Sequence, residues 1–124
     1  MLSLAPMSDK TEIAKFFAEK GIAYNDSCGC VTALCKNELL GLCLYETDRE
    51  KMTVLYLEPL NDIALADGIL RSTLHVAAER GIMNTFYAET LPEYFLDKIG
   101  FIKEKSERRL DIDKLFKSCC GCGN

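Results

Sequence analysis

Between Ser8 and Gly21 the apolar residues Ile13, Phe16 and Phe17 recur at the spacing of one helical face. Ser8, Thr11 and Glu12 supply helix-start chemistry before them and Gly21 ends the run, so a first helix is predicted over 9–20. From Cys30 the spacing shortens. Residues 31–35 and 40–46 are β-rich runs parted by the polar break Lys36-Asn37-Glu38, the pattern of a hairpin. After the charged turn Asp48-Arg49-Glu50-Lys51, the run Thr53-Val54-Leu55-Tyr56-Leu57 is apolar on both faces and stops at Pro59, as suits a central strand covered on both sides. Asn61 or Asp62 then caps a long helix closed by Gly81. Its buried stripe is Ala66, Ile69, Leu70, Thr73, Leu74 and Ala77, with Arg71, His75 and Glu79 on the wet face. A strand at 85–89, a helix at 92–99 opened by Pro92, and a strand at 101–104 follow. Residues 108–112 add a last strand and 113–117 a turn of helix. The order strand, helix, strand, helix, strand is that of an α/β sheet with crossover helices.

Composition bounds this picture. A chain of 124 residues with 48% hydrophobic and 27% charged positions is long enough to bury one core, with roughly two-thirds of its unfolded surface removed from water. We expect one domain over 1–117 and a flexible cysteine-rich tail at 118–124. Fifteen Lys and Arg against 19 Asp and Glu leave a net charge of −4, which offers no attraction to nucleic acid or to an anionic membrane. No apolar stretch approaches the ~18 residues of a membrane span, and the first seven residues lack the features of a secretory signal, so the expected location is the cytoplasm. Of seven cysteines, Cys28, Cys30, Cys35 and Cys43 lie within or beside apolar runs, where reduced thiols pack as small hydrophobes; this argues against a disulfide framework.

Residues 40–104 present a hairpin, a central strand ending near proline, a long helix closing in Glu79-Arg80-Gly81, and the stretch Tyr94-Phe95-Leu96-Asp97-Lys98-Ile99-Gly100-Phe101. In this order and spacing the segment resembles the core of the GNAT N-acetyltransferase superfamily. The resemblance implies a mixed, mostly antiparallel sheet with helices on both faces, acetyl-CoA as cofactor and a small acyl acceptor such as an amine as partner. It also implies that Leu57 or a neighbour on the central strand offers a backbone N–H to the thioester carbonyl. In such a family an Arg/Gln-x-x-Gly-x-Gly/Ala loop brings diphosphate to the positive end of the long helix. Counting back from Gly81 places Asn61, Ala64, Leu65 and Ala66 in that loop, with Asn61 at the Arg/Gln position and Ala64 at the first glycine.

The departures from the family pattern are chemical. Asp62 and Asp67 put negative charge near the helix start, where it would repel diphosphate while stabilising the helix by ~0.3–1 kcal/mol each. The family's thiolate-protonating tyrosine maps to Leu96, and Tyr94 stands about 200° away around a helix. A common asparagine maps to Glu89, the candidate general base. His75, the only histidine, is expected on the surface, and Phe16, Phe17, Tyr45, Tyr56, Phe86, Tyr87 and Phe95 in the core. The expectation is a GNAT-like protein with weak or lost acetyl transfer that binds an acyl-CoA or another small ligand. The alternative is a thiol or metal module on the same scaffold. For that, Cys119, Cys120 and Cys122 form a soft ligand set for zinc, with Cys28 and Cys30 available to complete a four-sulfur shell.

Overall fold

The chain runs β1 (Leu2–Pro6), α1 (Lys10–Glu19), β2 (Cys28–Cys35), β3 (Glu38–Thr47), β4 (Lys51–Glu58), α2 (Ile63–Glu79), β5 (Asn84–Tyr87), α3 (Glu93–Lys98), β6 (Ile102–Glu104) and β7 (Arg109–Leu110) in a computed structural model that describes residues 2–116. One sheet holds all seven strands in the order β1-β2-β3-β4-β5-β7-β6. Only the β4–β5 pair is parallel; the rest are antiparallel. The expected mixed, mostly antiparallel sheet is therefore present, with α2 as the crossover that a parallel pair requires.

Helices cover both faces. Ile13 and Phe17 of α1 pack on Cys30, Leu42 and Leu44, while Ala66, Ile69, Leu70 and Leu74 of α2 pack on Val31, Ala33, Cys43, Met52 and Val54 of the opposite face. Phe95 and Leu96 of α3 extend the second layer towards Phe101 and Leu110. Successive strand residues point to opposite faces, so Leu42 and Cys43 belong to different layers although adjacent in sequence.

Several boundaries differ from those expected, each for a local reason. β1 was not anticipated: Leu-Ser-Leu-Ala-Pro carries little β signal, and the strand forms by pairing with β2 along the sheet edge, where a proline is tolerated. The β2–β3 turn is tighter than the polar break suggests. Lys36 (φ 53°) and Asn37 (φ 68°) both take left-handed backbone, the two-residue turn that matches strand twist. Asp9 rather than Ser8 caps α1, its carboxylate accepting from the Thr11 and Glu12 amides at 3.0 and 3.3 Å. β5 ends at Tyr87, two residues short of the expected 89.

β4 contains the feature that shapes the site. Leu44 pairs with Tyr56 and Tyr45 with Val54, which leaves Leu55 as an extra residue, a β-bulge. The bulge shifts the alternation, so Leu57 joins Met52 and Val54 in the α2 layer while Leu55 and Tyr56 lie against the α1 layer. Gly41 on β3 makes room for the turn that follows. A Cβ there would meet the Glu58 carbonyl at 2.6 Å, Pro59 Cδ at 2.7 Å and Ile69 Cδ1 at 2.8 Å. Gly41→Ala should therefore destabilise the fold by about 1–3 kcal/mol through overpacking against backbone. Thermal unfolding checks this, and an unchanged Tm would show that the 58–60 turn yields freely.

Candidate functional site

The Ala88 amide donates to the Val54 carbonyl at 2.8 Å, and β4 and β5 are in register only from Lys51 opposite Asn84 to Val54 opposite Tyr87. Beyond that rung β4 continues through the bulge to Glu58 while the other chain turns through Thr90 to Pro92. The strands part there. A cavity of about 760 Å³ opens between them, walled by residues 55–61 on one side, Thr90 to Pro92 on another and Lys20 to Ile22 at the end of α1. Its size is that of a small-molecule site, and most of its wall is apolar.

Three polar side chains meet in that wall. The Tyr56 hydroxyl donates to Glu58 Oε1 at 2.6 Å, and Lys20 Nζ lies 3.0 Å from the same oxygen and 5.0 Å from the centre of the Tyr56 ring. Lys20 is the C-cap of α1, its amide bonded to the Phe16 and Phe17 carbonyls, so helix packing fixes the root of its side chain. Partial burial pushes the Glu58 carboxyl up, but the hydrogen bonds from Tyr56 and Lys20 and the lysine charge outweigh it and hold the group below its ordinary value. The hydrogen bond to Glu58 raises Lys20 against the opposing effect of burial, and the same carboxylate raises Tyr56. At neutral pH the cluster is an ammonium, a carboxylate and a neutral phenol.

The next turn leads into α2. Asp62 is its N-cap, the carboxylate accepting from the Leu65 amide at 3.1 Å. A side-chain anion thus already occupies part of the positive helix end. Asp67 lies in the second turn, bonded to Arg71 Nε at 2.8 Å, so its charge is largely answered within the helix.

Among the residues expected to hold a cofactor, Leu57 and Asn61 line the cavity. Ala64 is exposed on the first turn of α2, Leu65 is half-buried against the core, and Ala66 is fully buried beneath the helix. Glu89 stands outside the cavity wall, 77% exposed and paired with Arg108 at 3.1 Å. Leu96 is 1% exposed in the core, whereas Tyr94 is 75% exposed on the outside of α3. His75 is exposed, as expected.

The thiols diverge. Cys30 and Cys43 are buried in opposite layers, and burial pushes both up to about 12, which keeps them protonated. Among the described residues no group of three or more His, Cys, Asp or Glu side chains is placed to hold a metal ion. That gives no support to a zinc site that recruits Cys28 and Cys30. Cys119, Cys120 and Cys122 lie outside the described residues. No described helix is long and apolar enough to cross a membrane.

Lys20, Tyr56 and Glu58 escaped sequence analysis. Tyr56 is expected in the core, and its ring does pack against the α1 layer, but its hydroxyl serves the cleft. The legible signal was a Tyr-x-Glu pair at the end of an otherwise apolar strand. The lysine, 38 positions earlier, had none.

No protein-family model and no curated protein sequence matches the chain. Solved structures do. A ribosomal-protein-alanine N-acetyltransferase from Brucella melitensis is 14% identical, with 80% of this chain and 90% of that one covered at a TM-score of 0.59. A GNAT family acetyltransferase from Elizabethkingia anophelis, solved with acetyl-CoA bound, is 15% identical, covering 83% and 78% at 0.56. An aminoglycoside 6'-N-acetyltransferase from Enterococcus faecium is 10% identical, covering 82% and 86% at 0.58. The fold is that of the GNAT acetyltransferases.

The Glu58 cluster has a defined pH signature. Because the folded carboxyl sits below its unfolded value near 4.5, its contribution to stability is complete above that value and is lost as pH falls through the lower folded value. Glu58→Gln should lower stability by at most about 1 kcal/mol at neutral pH, given the solvent access of the pair. In thermal melts the gap from the parent protein should hold steady between about pH 6 and 8 and close on acidification below about pH 4.5. A gap that widens in acid would contradict the assignment.

Proposed function

We propose that this chain is a GNAT-fold protein that binds an acyl-CoA weakly, with N-acetyl transfer correspondingly weak or lost. The parting of β4 from β5 after Val54 carries the proposal, because it exposes a strand edge along an apolar cavity of the size a pantetheine arm needs. The β4 backbone around Leu57 would hydrogen-bond such an arm as an added strand does and would present an N–H to the thioester carbonyl. A bound acyl-CoA supplies the activated acyl group; the chain's own residues supply position, exclusion of water and a carboxylate.

The fit is good along β4 and poor at α2. Asn61 borders the cavity, but the Asp62 carboxylate is bonded to the helix end and would face the diphosphate with like charge. Glu58, inside the cavity wall and ionised, is better placed than Glu89 to accept a proton from an incoming amine, although Lys20 already engages it.

Isothermal titration with acetyl-CoA should give a dissociation constant above about 10 μM. Asp62→Ser keeps a capping oxygen and removes the charge, so it should tighten binding about threefold to tenfold, equivalent to about 0.7–1.4 kcal/mol. Affinity of the parent chain at or below about 10 μM would overturn the weak-binding part of the proposal. Binding undetectable in both proteins would overturn the acyl-CoA site itself.

A further inference from the structure

We infer that Lys20 is a self-acylation site, its side-chain amine taking the acyl group of a coenzyme A thioester held in the β4 cleft. The inference rests on the acyl-CoA reading of that cleft and goes beyond it, because the acceptor is part of this chain.

Among the described residues, Lys20 differs from the other ion-paired lysines. Its side chain is 25% exposed and forms part of the cavity wall, whereas the side chain of Lys15, five residues earlier in α1, is 65% exposed and paired with Glu12. Capping bonds at the end of α1 fix its backbone. Glu58 Oε1 at 3.0 Å and the Tyr56 ring at 5.0 Å hold the ammonium over the part of β4 that has left its partner strand. An amine confined beside a bound electrophile reacts at an effective concentration far above that of an amine free in solution. The titratable groups facing it are Glu58 and Tyr56, both on β4.

The step balances without a further reagent. The ammonium first gives one proton to water past Glu58. The freed nitrogen pair attacks the thioester carbonyl carbon, a C–N bond forms and the C–S bond breaks, and the sulfur leaves as a thiolate. The nitrogen then loses a second proton, which the thiolate takes up. An ammonium and a thioester thus give an amide, a thiol and one proton. Because Glu58 stabilises the ammonium, the free amine is scarce at neutral pH and the rate should rise about tenfold per pH unit between about pH 7 and 9. The product amide nitrogen is no longer nucleophilic, so the directed reaction stops after one acyl group at Lys20.

The test uses the intact protein with acetyl-CoA, followed by whole-protein and peptide mass spectrometry, with Lys15 as an internal reference for undirected chemistry. Lys20 should be acetylated at least about tenfold faster than Lys15. Added coenzyme A, which has no acyl group, should suppress labelling at Lys20 and leave Lys15 unaffected. Lys20→Arg should abolish the fast phase while leaving the melting curve nearly unchanged. Equal rates at the two lysines, or labelling of Lys20 that coenzyme A does not suppress, would overturn the inference. If calorimetry still shows coenzyme A bound in that case, the cleft keeps its assigned ligand and only the acceptor is wrong. Absence of calorimetric binding would overturn both.

Discussion

β4 is hydrogen-bonded to neighbours on both edges only as far as Val54; from Leu55 onward one edge has lost its partner. Buried backbone groups must be satisfied, so a central strand that sheds one neighbour opens towards water or a ligand. The bulge at Leu55 makes this compatible with a continuous core. It returns Leu57 to the α2 layer beside Met52 and Val54, and it leaves Tyr56 on the α1 side, where the hydroxyl reaches Glu58. Gly41 beneath the following turn and the placement of α2 both follow from where β4 is allowed to end.

At the start of α2 the same geometry meets a different electrostatic choice. A helix N-terminus with free amides attracts anions, and the capping residue decides how much of that attraction is left for a ligand. Asp62 uses part of it internally. Asp67, which the sequence places nearby, contributes less repulsion than its charge alone implies, because Arg71 is bonded to it one turn later. On the acyl-CoA reading proposed above, the electrostatic obstacle to diphosphate is thus concentrated in one carboxylate.

Magnitudes separate the roles of the cluster and the core. A partly exposed ion pair contributes about 0.2–1 kcal/mol, whereas truncating a buried phenylalanine such as Phe17 or Phe101 costs about 3–5 kcal/mol. The Lys20–Glu58–Tyr56 contacts are a minor part of what holds the fold together. Their effect is positional: they fix a cation, an anion and a phenol at the mouth of a cleft whose other walls are mainly apolar.

Periodicity and turn chemistry determined most of the elements. Helices α1, α2 and α3, the β2–β3 hairpin and the central strand were legible because each has its own apolar stripe and stop signals: Gly21, Pro59, Gly81 and Pro92. The exposure of His75 followed from helical phase. The spacing also supported the family resemblance and showed that the helix start carries alanine at the glycine positions, with acid beside them. Tertiary structure decided what depends on partners. β1 exists because β2 offers it an edge, β5 stops where the cleft begins, and a one-residue bulge reassigns faces that strict alternation would have placed otherwise. Glu89 was the carboxylate the sequence singled out, yet Glu58 is the one that the fold sets in the cavity wall beside a lysine from another element. Residue type and local phase are written in consecutive positions, whereas a site joining position 20 to position 58 forms only when α1 has packed on its face of the sheet.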